Sequence, residues 1–217
     1  MSMDLKTKEY NDALDQILRA RRSMREFKPE TPPRQLIEEI IQAGLLAPYA
    51  SEGGTVPLDR QFRVISRESR IIGNLREIMR RRAVMACEGL SKQMERNPAL
   101  QQQAQFLVKR LKMIGEHGVP WVGTDPYYIV VAERKSMSVD KSLSHCMENM
   151  WLKATALGLG FHLITITGTM AEDKDFCDLL SISHGQYALD GCGVGYPSST
   201  LTPVEHPQVA NVIRWIG

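Results

Sequence analysis

The stretch Arg21-Arg22-Ser23-Met24-Arg25-Glu26-Phe27 decides how this chain is interpreted. It places three guanidinium groups and a hydroxyl within five residues, directly after an apolar helical run. A guanidinium is a planar fork that fits the oxygens of a phosphate or of an ionised ring amide, and a serine hydroxyl donates to the same oxygens. The segment therefore predicts an anion-binding site, with a solvated basic turn at a helix end as the alternative.

The composition indicates an ordinary globular chain. Its 217 residues fit one domain, with 43% hydrophobic and 24% charged residues and a net charge of +2. This charge favours neither a nucleic-acid nor a membrane partner, and the apolar runs are far shorter than the ~20 residues of a membrane span. The N-terminus contains polar residues such as Asp4, Lys6 and Glu9, so we expect no signal peptide and a cytoplasmic protein.

The cysteines and histidines show no metal-binding pattern. The four cysteines are widely separated, without a Cys-x-x-Cys pair, and predict reduced and mostly buried thiols. The five histidines lack zinc-ligand spacing as well.

Hydrophobic periodicity predicts helices separated by a few short strands. We expect helices at 10–20, 36–45, 69–82, 100–114 and 138–157, and strands around 62–64 and at 127–132, 161–167 and 187–195. Thr31-Pro32-Pro33 is typical of a helix start, and Thr169 with Glu172 of a capping box. The tail at 203–217 ends in an amphipathic piece. The strands do not alternate with single helices, so the pattern indicates an α+β fold.

The opening pattern Arg-Arg-Ser-x-Arg-x-Phe resembles the first motif of the nitroreductase family of FMN-dependent oxidoreductases. Three later stretches, at 36–48, 149–160 and 193–197, agree with that family in order and spacing. The resemblance implies a single nitroreductase-like FMN-binding domain over 1–217. It also implies a central, mostly antiparallel sheet of about four to five strands flanked by helices. A variable helical lid lies at about 71–126 in this interpretation. The family is dimeric, and the wide apolar stripe at 143–157 predicts a homodimer here.

The resemblance also implies which residues bind FMN. The opening segment serves the phosphate and pyrimidine ends, with Arg21 near the pyrimidine and Arg25 near the phosphate. The loop after the second helix contacts the flavin across the subunit interface, and backbone amides after a later strand face the ring. The implied cofactor-binding residues are Arg21, Arg22, Ser23, Arg25, Pro48, Tyr49, Ala50, Ser51, Ile164, Thr165 and Ile166.

The chain departs from the family at two places. The loop at 49–54 lacks the asparagine and the tryptophan that the family usually has there, and Tyr49 either stacks on the flavin or donates a hydrogen bond to it, or is a surface loop tyrosine. No Lys or Arg follows Pro197 until Arg214, so phosphate binding would depend mostly on the opening segment. Residues 164–166 are interpreted either as a flavin contact or simply as a β-branched strand. Methionines at 79, 85, 94 and 113, with Trp121, either line a pocket in the lid or fill the core.

The implied function is hydride transfer through FMN, with NAD(P)H as a transient reductant and a nitroaromatic, quinone or similar small molecule as acceptor. No side chain need act as acid or base, and no Gly-x-Gly-x-x-Gly fingerprint for a nicotinamide dinucleotide is present. One alternative is a flavin sensor or store without turnover. A third interpretation is a nucleic-acid binder that uses Arg76, Arg80, Arg81 and Arg82, which the low net charge disfavours.

Overall fold

The computed structural model of the chain describes residues 7–49, 59–199 and 208–216. This part contains six α-helices and four strands. The helices are α1 (Lys8–Ala20), α2 (Arg34–Leu45), α3 (Ile72–Arg96), α4 (Pro98–His117), α5 (Val139–Ala156) and α6 (Lys174–Leu179). The strands are β1 (Arg60–Ser66), β2 (Tyr127–Arg134), β3 (Gly160–Leu163) and β4 (Tyr187–Gly195), and two 3-10 segments lie at Thr165–Glu172 and Val209–Asn211.

The four strands form one antiparallel sheet in the order β1-β2-β4-β3. β2 and β4 are therefore central, and β2 is buried from Tyr128 to Glu133, as expected of a nearly continuous apolar run. The predicted α+β class and the mostly antiparallel sheet are confirmed. The strand predicted at 187–195 is also confirmed.

The strand predicted at 161–167 is wrong beyond Leu163, because the chain turns there into the 3-10 segment Thr165–Glu172. Gly191 on β4 leaves room for the side chain of Thr167, which would overlap a Cβ at that position. The Thr167 hydroxyl lies 2.7 Å from the hydroxyl of Tyr128 on β2. These contacts fold the chain over the sheet and override the β propensity of the sequence.

Two predicted helix caps are also wrong. Helix α2 begins at Arg34 with Pro33 as its N-cap, while the Thr31 hydroxyl accepts a hydrogen bond from Arg67 instead. Helix α6 is capped by Asp173, whose carboxylate accepts from the Phe176 amide at 3.0 Å. The proposed capping box fails because the Thr169 hydroxyl donates to the carbonyl of Ile166.

Helix α5 is buried within its own chain. Its apolar stripe packs against α2 and the sheet, and a Cβ on Gly44 of α2 would lie 2.8 Å from Met150. The argument that this stripe needs a second subunit is therefore wrong. The thiols of Cys146, Cys177 and Cys192 are free and buried, and Cys87 is free and half-buried, which confirms that prediction.

Residues 71–126 contain α3 and α4, which are longer than predicted and pack side by side in opposite directions. Gly115 near the end of α4 touches Val84 of α3, and the Cys87 thiol lies near the carbonyl of Val108. Of the methionines considered for a pocket, Met79 is a core residue, whereas Met85 and Met113 are exposed. Trp121, in the segment after α4, is half-buried.

Apolar surface is left uncovered on α1 and on the tail. Tyr10, Leu14 and Leu18 are each about half exposed, and α1 buries no residue. In the tail, Trp215 is 86% exposed. The predicted amphipathic tail is described over residues 208–216, where the turn Val209–Asn211 is the regular element, and residues 200–207 and 217 lie outside the described part.

Candidate functional site

The opening segment leaves α1 and pairs with the end of the sheet. The Met24 amide donates to the Phe161 carbonyl at 3.0 Å, and the Lys28 amide donates to the Tyr196 carbonyl at 2.8 Å. The indole Nε1 of Trp151 on α5 donates to the Arg22 carbonyl at 3.1 Å. Three stretches that are distant in the sequence, 21–28, 149–160 and 193–197, therefore meet at one place.

Two glycines of these stretches are explained by close packing. A Cβ on Gly160 would lie 2.8 Å from both the Cβ of Met24 and the Cε1 of Phe27. A Cβ on Gly195, which pairs with Gly160, would lie 2.8 Å from the Cγ of Phe27. Real Cβ atoms do not approach this closely, so both positions need glycine for the opening segment to lie against the sheet.

The side chains of the opening segment alternate between two environments. Met24 is buried, whereas its neighbours Ser23 and Arg25 are exposed. Arg25 has no ion pair among the residues that the structure describes. Arg21 is already engaged: its Nε lies 3.2 Å from the Glu148 carboxylate, and its Cζ lies 4.4 Å from the ring centre of Trp151.

Arg22 faces a cleft of about 440 Å³ behind the segment. Its Nη1 donates to the carbonyls of Arg19 and Arg21 at 2.8 and 2.7 Å, while its buried Nε has no hydrogen-bond partner in the described part of the chain. Lys28 lines the same cleft. The cleft is completed by Ala20, Met24, Thr155, Gly158, Leu159, Gly160, Pro197, Ser198 and Ser199.

Sequence reasoning missed Lys28. The family usually has a basic residue soon after the turn at Pro197, and this chain has none there. The Lys28 backbone, however, pairs with Tyr196, so the Lys28 ammonium lies beside the same turn. The available signal was a lysine directly after Phe27, at the end of the segment that was already assigned to an anion.

The second predicted segment lies at the other edge of the sheet. The Pro48 carbonyl accepts hydrogen bonds from Arg60 on β1 and from Ser142 near the start of α5. Trp151, which contacts the opening segment, is nine residues further along α5 and therefore about 13 Å away along its axis. The Tyr49 ring packs on Arg60. Ala50 and Ser51 lie outside the described residues.

The third predicted group follows β3. Ile164 is buried, and its amide donates to the Gly191 carbonyl at 2.7 Å, so this amide is already occupied. Thr165 and Ile166 begin the 3-10 segment, where the first amides have no partner within the helix. Thr165 is exposed, and Ile166 is 8% exposed.

A buried histidine–aspartate pair lies under the opening segment and was also missed. His162 Nε2 is 2.8 Å from Asp125 Oδ2, and the side chains are 1% and 3% exposed. The His162 ring stacks on Phe27 and meets Trp121 edge to face. Burial raises the pKa of Asp125, and the hydrogen bond from His162 opposes that shift. His162 Nδ1 has no hydrogen-bond partner among the described side chains and backbone groups.

Two further observations bear on the predicted partners and metals. Within the described ranges, no helix is both long and apolar enough to cross a membrane. The same ranges contain no group of three or more His, Cys, Asp or Glu side chains arranged to hold a metal ion.

Comparison with known proteins defines the class. The model of the nitroreductase family matches residues 18–196, and this chain belongs to that family. The curated proteins include no match to this chain.

Solved structures show the same fold. A nitroreductase with bound FMN from Bacteroides fragilis NCTC 9343 has a TM-score of 0.68 at 20% identity, over 94% of this chain and 98% of that one. Iodotyrosine deiodinase bound to FMN and 3-iodo-L-tyrosine has a TM-score of 0.64 at 17% identity, over 94% and 99%. An FMN and NADPH-dependent nitroreductase variant derived from sphigopyxis sp. strain HMH has a TM-score of 0.62 at 17% identity, over 94% and 99%.

Proposed function

We propose that this protein is an FMN-dependent oxidoreductase that passes a hydride from NAD(P)H to a small oxidised acceptor, such as a nitroaromatic or a quinone, in a ping-pong cycle. The observation that carries the proposal is the meeting of the opening segment with β3, α5 and the Tyr196-Pro197 turn. Three stretches that match family motifs converge there, in a chain that belongs to the nitroreductase family.

The residues present fit a flavin phosphate and ring. Arg25 and Ser23 are exposed side by side on the opening segment, and unpaired cations or hydroxyls of this kind suit phosphate oxygens. Lys28 and the unpartnered Nε of Arg22 add positive charge on the other side of the segment. We assign Arg25 to the phosphate and Arg21 to the pyrimidine end. Because the Ile164 amide is occupied, the amides of Thr165 and Ile166 are the better candidates for the ring edge.

FMN, when bound, supplies the hydride chemistry, and the chain supplies binding, orientation and electrostatics. A guanidinium at the pyrimidine end favours the reduced ring because that end gains negative charge on reduction. Amides held by the 3-10 segment would orient the ring. No described side chain has to transfer a proton in this scheme.

We further propose a homodimer in which Pro48, Tyr49, Ala50 and Ser51 of one subunit complete the flavin site of the other. The Pro48–Tyr49 segment and the opening segment lie at different edges of one subunit, near opposite parts of α5. The exposed apolar residues of α1 and of the tail offer surface for the contact. Buried apolar surface is the main stabilising term of an obligate interface.

The basic helix α3 gives little support to a nucleic-acid partner. Arg80 pairs with Glu77 at 2.8 Å, and Arg81 pairs with Asp175 at 2.6 Å. These cations are therefore largely neutralised by acidic neighbours. The partners we propose are a second copy of the chain and a small-molecule acceptor, without nucleic acid or membrane, and the cytoplasmic location stays a prediction.

The purified protein tests the proposal directly. We expect a yellow protein whose heat-released cofactor runs as FMN on chromatography, and flavin reduction under NADH or NADPH in an anaerobic cuvette. A flavin that neither nucleotide reduces would support the alternative of a sensor or store, which the altered loop at 49–54 also favours. A colourless protein that does not take up added FMN would refute both.

A further inference from the structure

The guanidinium of Arg60 is completely satisfied although it is buried. Its Nε donates to Glu133 at 2.6 Å, Nη1 donates to the Gly44 and Ala47 carbonyls at 2.8 and 3.2 Å, and Nη2 donates to the Pro48 carbonyl and Ser142 Oγ at 3.1 and 2.8 Å. These bonds use all five donors of an arginine. The Arg60 side chain has no exposed surface, and that of Glu133 is 4% exposed.

One of these bonds goes to the last turn of α2, and two go to the residues just after it. The last carbonyls of a helix have no partner within it, and a cation there is also favoured by the helix dipole. From β1, Arg60 adds a donor to the Gly44 carbonyl, which also accepts from the Ala47 amide at 3.2 Å, and it donates to the Ala47 and Pro48 carbonyls just after the helix. The next residue, Tyr49, lays its ring over the guanidinium with 4.1 Å between Cζ and the ring centre.

The other two bonds fix Arg60 itself. Glu133 lies directly opposite Arg60 in the β1–β2 register. Ser142 on α5 accepts from Arg60 and donates to the Pro48 carbonyl at 3.0 Å. The sheet, α2 and α5 are thus joined at the point from which residues 50–58 depart.

We infer that Arg60, held by Glu133 and Ser142, is a positioning residue that sets where the Pro48–Tyr49 edge of the flavin site lies. A buried ion pair adds little net stability compared with apolar residues of the same volume, so stability alone does not account for its presence. An apolar residue in place of Arg60 would not supply the fixed geometry of five directed hydrogen bonds. The link to the flavin depends on the proposed function; the placement of Pro48 and Tyr49 does not.

The first test needs no flavin. Arg60→Lys keeps the charge but loses the planar fork. Arg63→Lys is the matched control because Arg63 lies on the same strand and binds the end of another helix, through the Leu180 and Ser181 carbonyls at 2.7 and 2.8 Å. In apo protein, we expect hydrogen exchange at the Leu46 and Ala47 amides to accelerate by about tenfold in Arg60→Lys and to stay within about twofold in Arg63→Lys.

The second test measures the dissociation constant of FMN by fluorescence quenching. We expect FMN to bind about tenfold more weakly to Arg60→Lys than to Arg63→Lys. Urea unfolding of each variant gives its folded fraction, and the two dissociation constants are compared at equal folded fractions. Ser142→Ala, which removes one bond to Arg60 and one to Pro48, replaces Arg60→Lys if that variant does not fold. Equal exchange in the Arg60 and Arg63 variants, or faster exchange with unchanged FMN affinity, would overturn the inference. If the wild type binds no FMN, the proposed function fails, and the exchange experiment alone decides the placement of Pro48 and Tyr49.

Discussion

The imidazole of His162 lies 2.8 Å from the carboxylate of Asp125, and both side chains are buried beneath Phe27 of the opening segment. Gly193, opposite His162 in the β3–β4 register, has no side chain because the two polar groups occupy that space. The pair therefore ties the segment before β2 to the strand beside the candidate flavin site. His162 Nδ1 has no hydrogen-bond partner among the described residues.

We predict that His162 and Asp125 are energetically coupled, so that replacing both lowers the free energy of unfolding by less than the two single replacements added together. Asp125→Leu should destabilise the fold by about 1–3 kcal/mol, because the buried His162 Nε2 is left without its hydrogen-bond partner. The double variant Asp125→Leu/His162→Leu should cost clearly less than the two single variants added together. Urea unfolding of the four proteins measures the coupling. Strictly additive effects would show that the two side chains do not act as a pair.

A second prediction concerns Gly160. Gly160→Ala places a methyl group 2.8 Å from Met24 and Phe27, so it should destabilise the protein by about 1–3 kcal/mol and displace the opening segment. We expect weaker FMN binding as a consequence. Gly89→Ala is the control, since it lies in α3 with no atom within 4 Å of the new methyl group. That control should stabilise the helix by about 0.5–1 kcal/mol, and a Gly160→Ala variant that behaves the same way would contradict the packing described here.

The sequence predicted the fold well where a pattern is local. The nearly continuous apolar run 127–132 identified the central strand β2, because a strand paired on both sides inside a sheet buries most of its side chains, and the strand at 187–195 was also predicted. It failed at 164–167, where the space above Gly191 lets Thr167 turn inward. A contact between residues 24 positions apart is not visible in a local pattern.

Burial of Asp190 predicts how stability depends on pH. Burial raises the pKa of Asp190 from 3.8 to about 6, partly opposed by the Gly191 amide that donates to its carboxylate. A carboxyl whose pKa is raised on folding stabilises the protein when protonated, so this contribution is present below about pH 4 and lost as the pH rises through about 6. The effect amounts to up to about 3 kcal/mol, at about 1.4 kcal/mol per pH unit.

Asp190→Asn should therefore leave the free energy of unfolding almost unchanged near pH 4. At pH 7 it should raise that free energy above the wild-type value by up to about 3 kcal/mol. Urea unfolding at both pH values checks this. Asp15→Asn, on the exposed helix α1, is the control and should follow the wild type at both. A constant difference between Asp190→Asn and the wild type would mean that Asp190 does not titrate in this range.

The proposed dimer gives a fourth prediction. Light scattering should report twice the 24.5 kDa of one chain, and Leu14→Lys on α1 should weaken the association because Leu14 is 49% exposed in one subunit. Phe106→Lys is the control: Phe106 is 75% exposed on α4 and belongs neither to α1 nor to the tail. A mass near 24.5 kDa at all dilutions would contradict the dimer.

The candidate site was predictable in part. The basic opening segment stood out because it places three arginines and a serine within five residues, and the structure brings it to 149–160 and 193–197. Lys28 and the His162–Asp125 pair were not found. Their roles depend on which backbone lies beside Tyr196 and which glycine leaves space on β4, and neither follows from spacing along the chain.

The last prediction separates Arg21 from Arg25. Reduction adds negative charge at the pyrimidine end of a flavin, whereas the phosphate charge does not change. A guanidinium near the pyrimidine therefore stabilises the reduced state more, and one near the phosphate stabilises both states alike. Arg25→Ala should weaken FMN binding with little change in midpoint potential. Arg21→Ala should also lower the potential, by about 30 mV for each ~1.4 kcal/mol of differential stabilisation lost.

Replacing Glu148 should shift the flavin midpoint potential in the opposite direction to Arg21→Ala. Its carboxylate lies 3.2 Å from Arg21 Nε and offsets part of the positive charge. Glu148→Gln should therefore raise the midpoint potential, while Arg21→Ala lowers it and Arg25→Ala leaves it near the wild-type value. The measurement is a spectroscopic redox titration of the three variants and the wild type, each reconstituted with FMN. Equal potentials in the Arg21 and Arg25 variants would mean that the two assignments are wrong, even with the flavin bound.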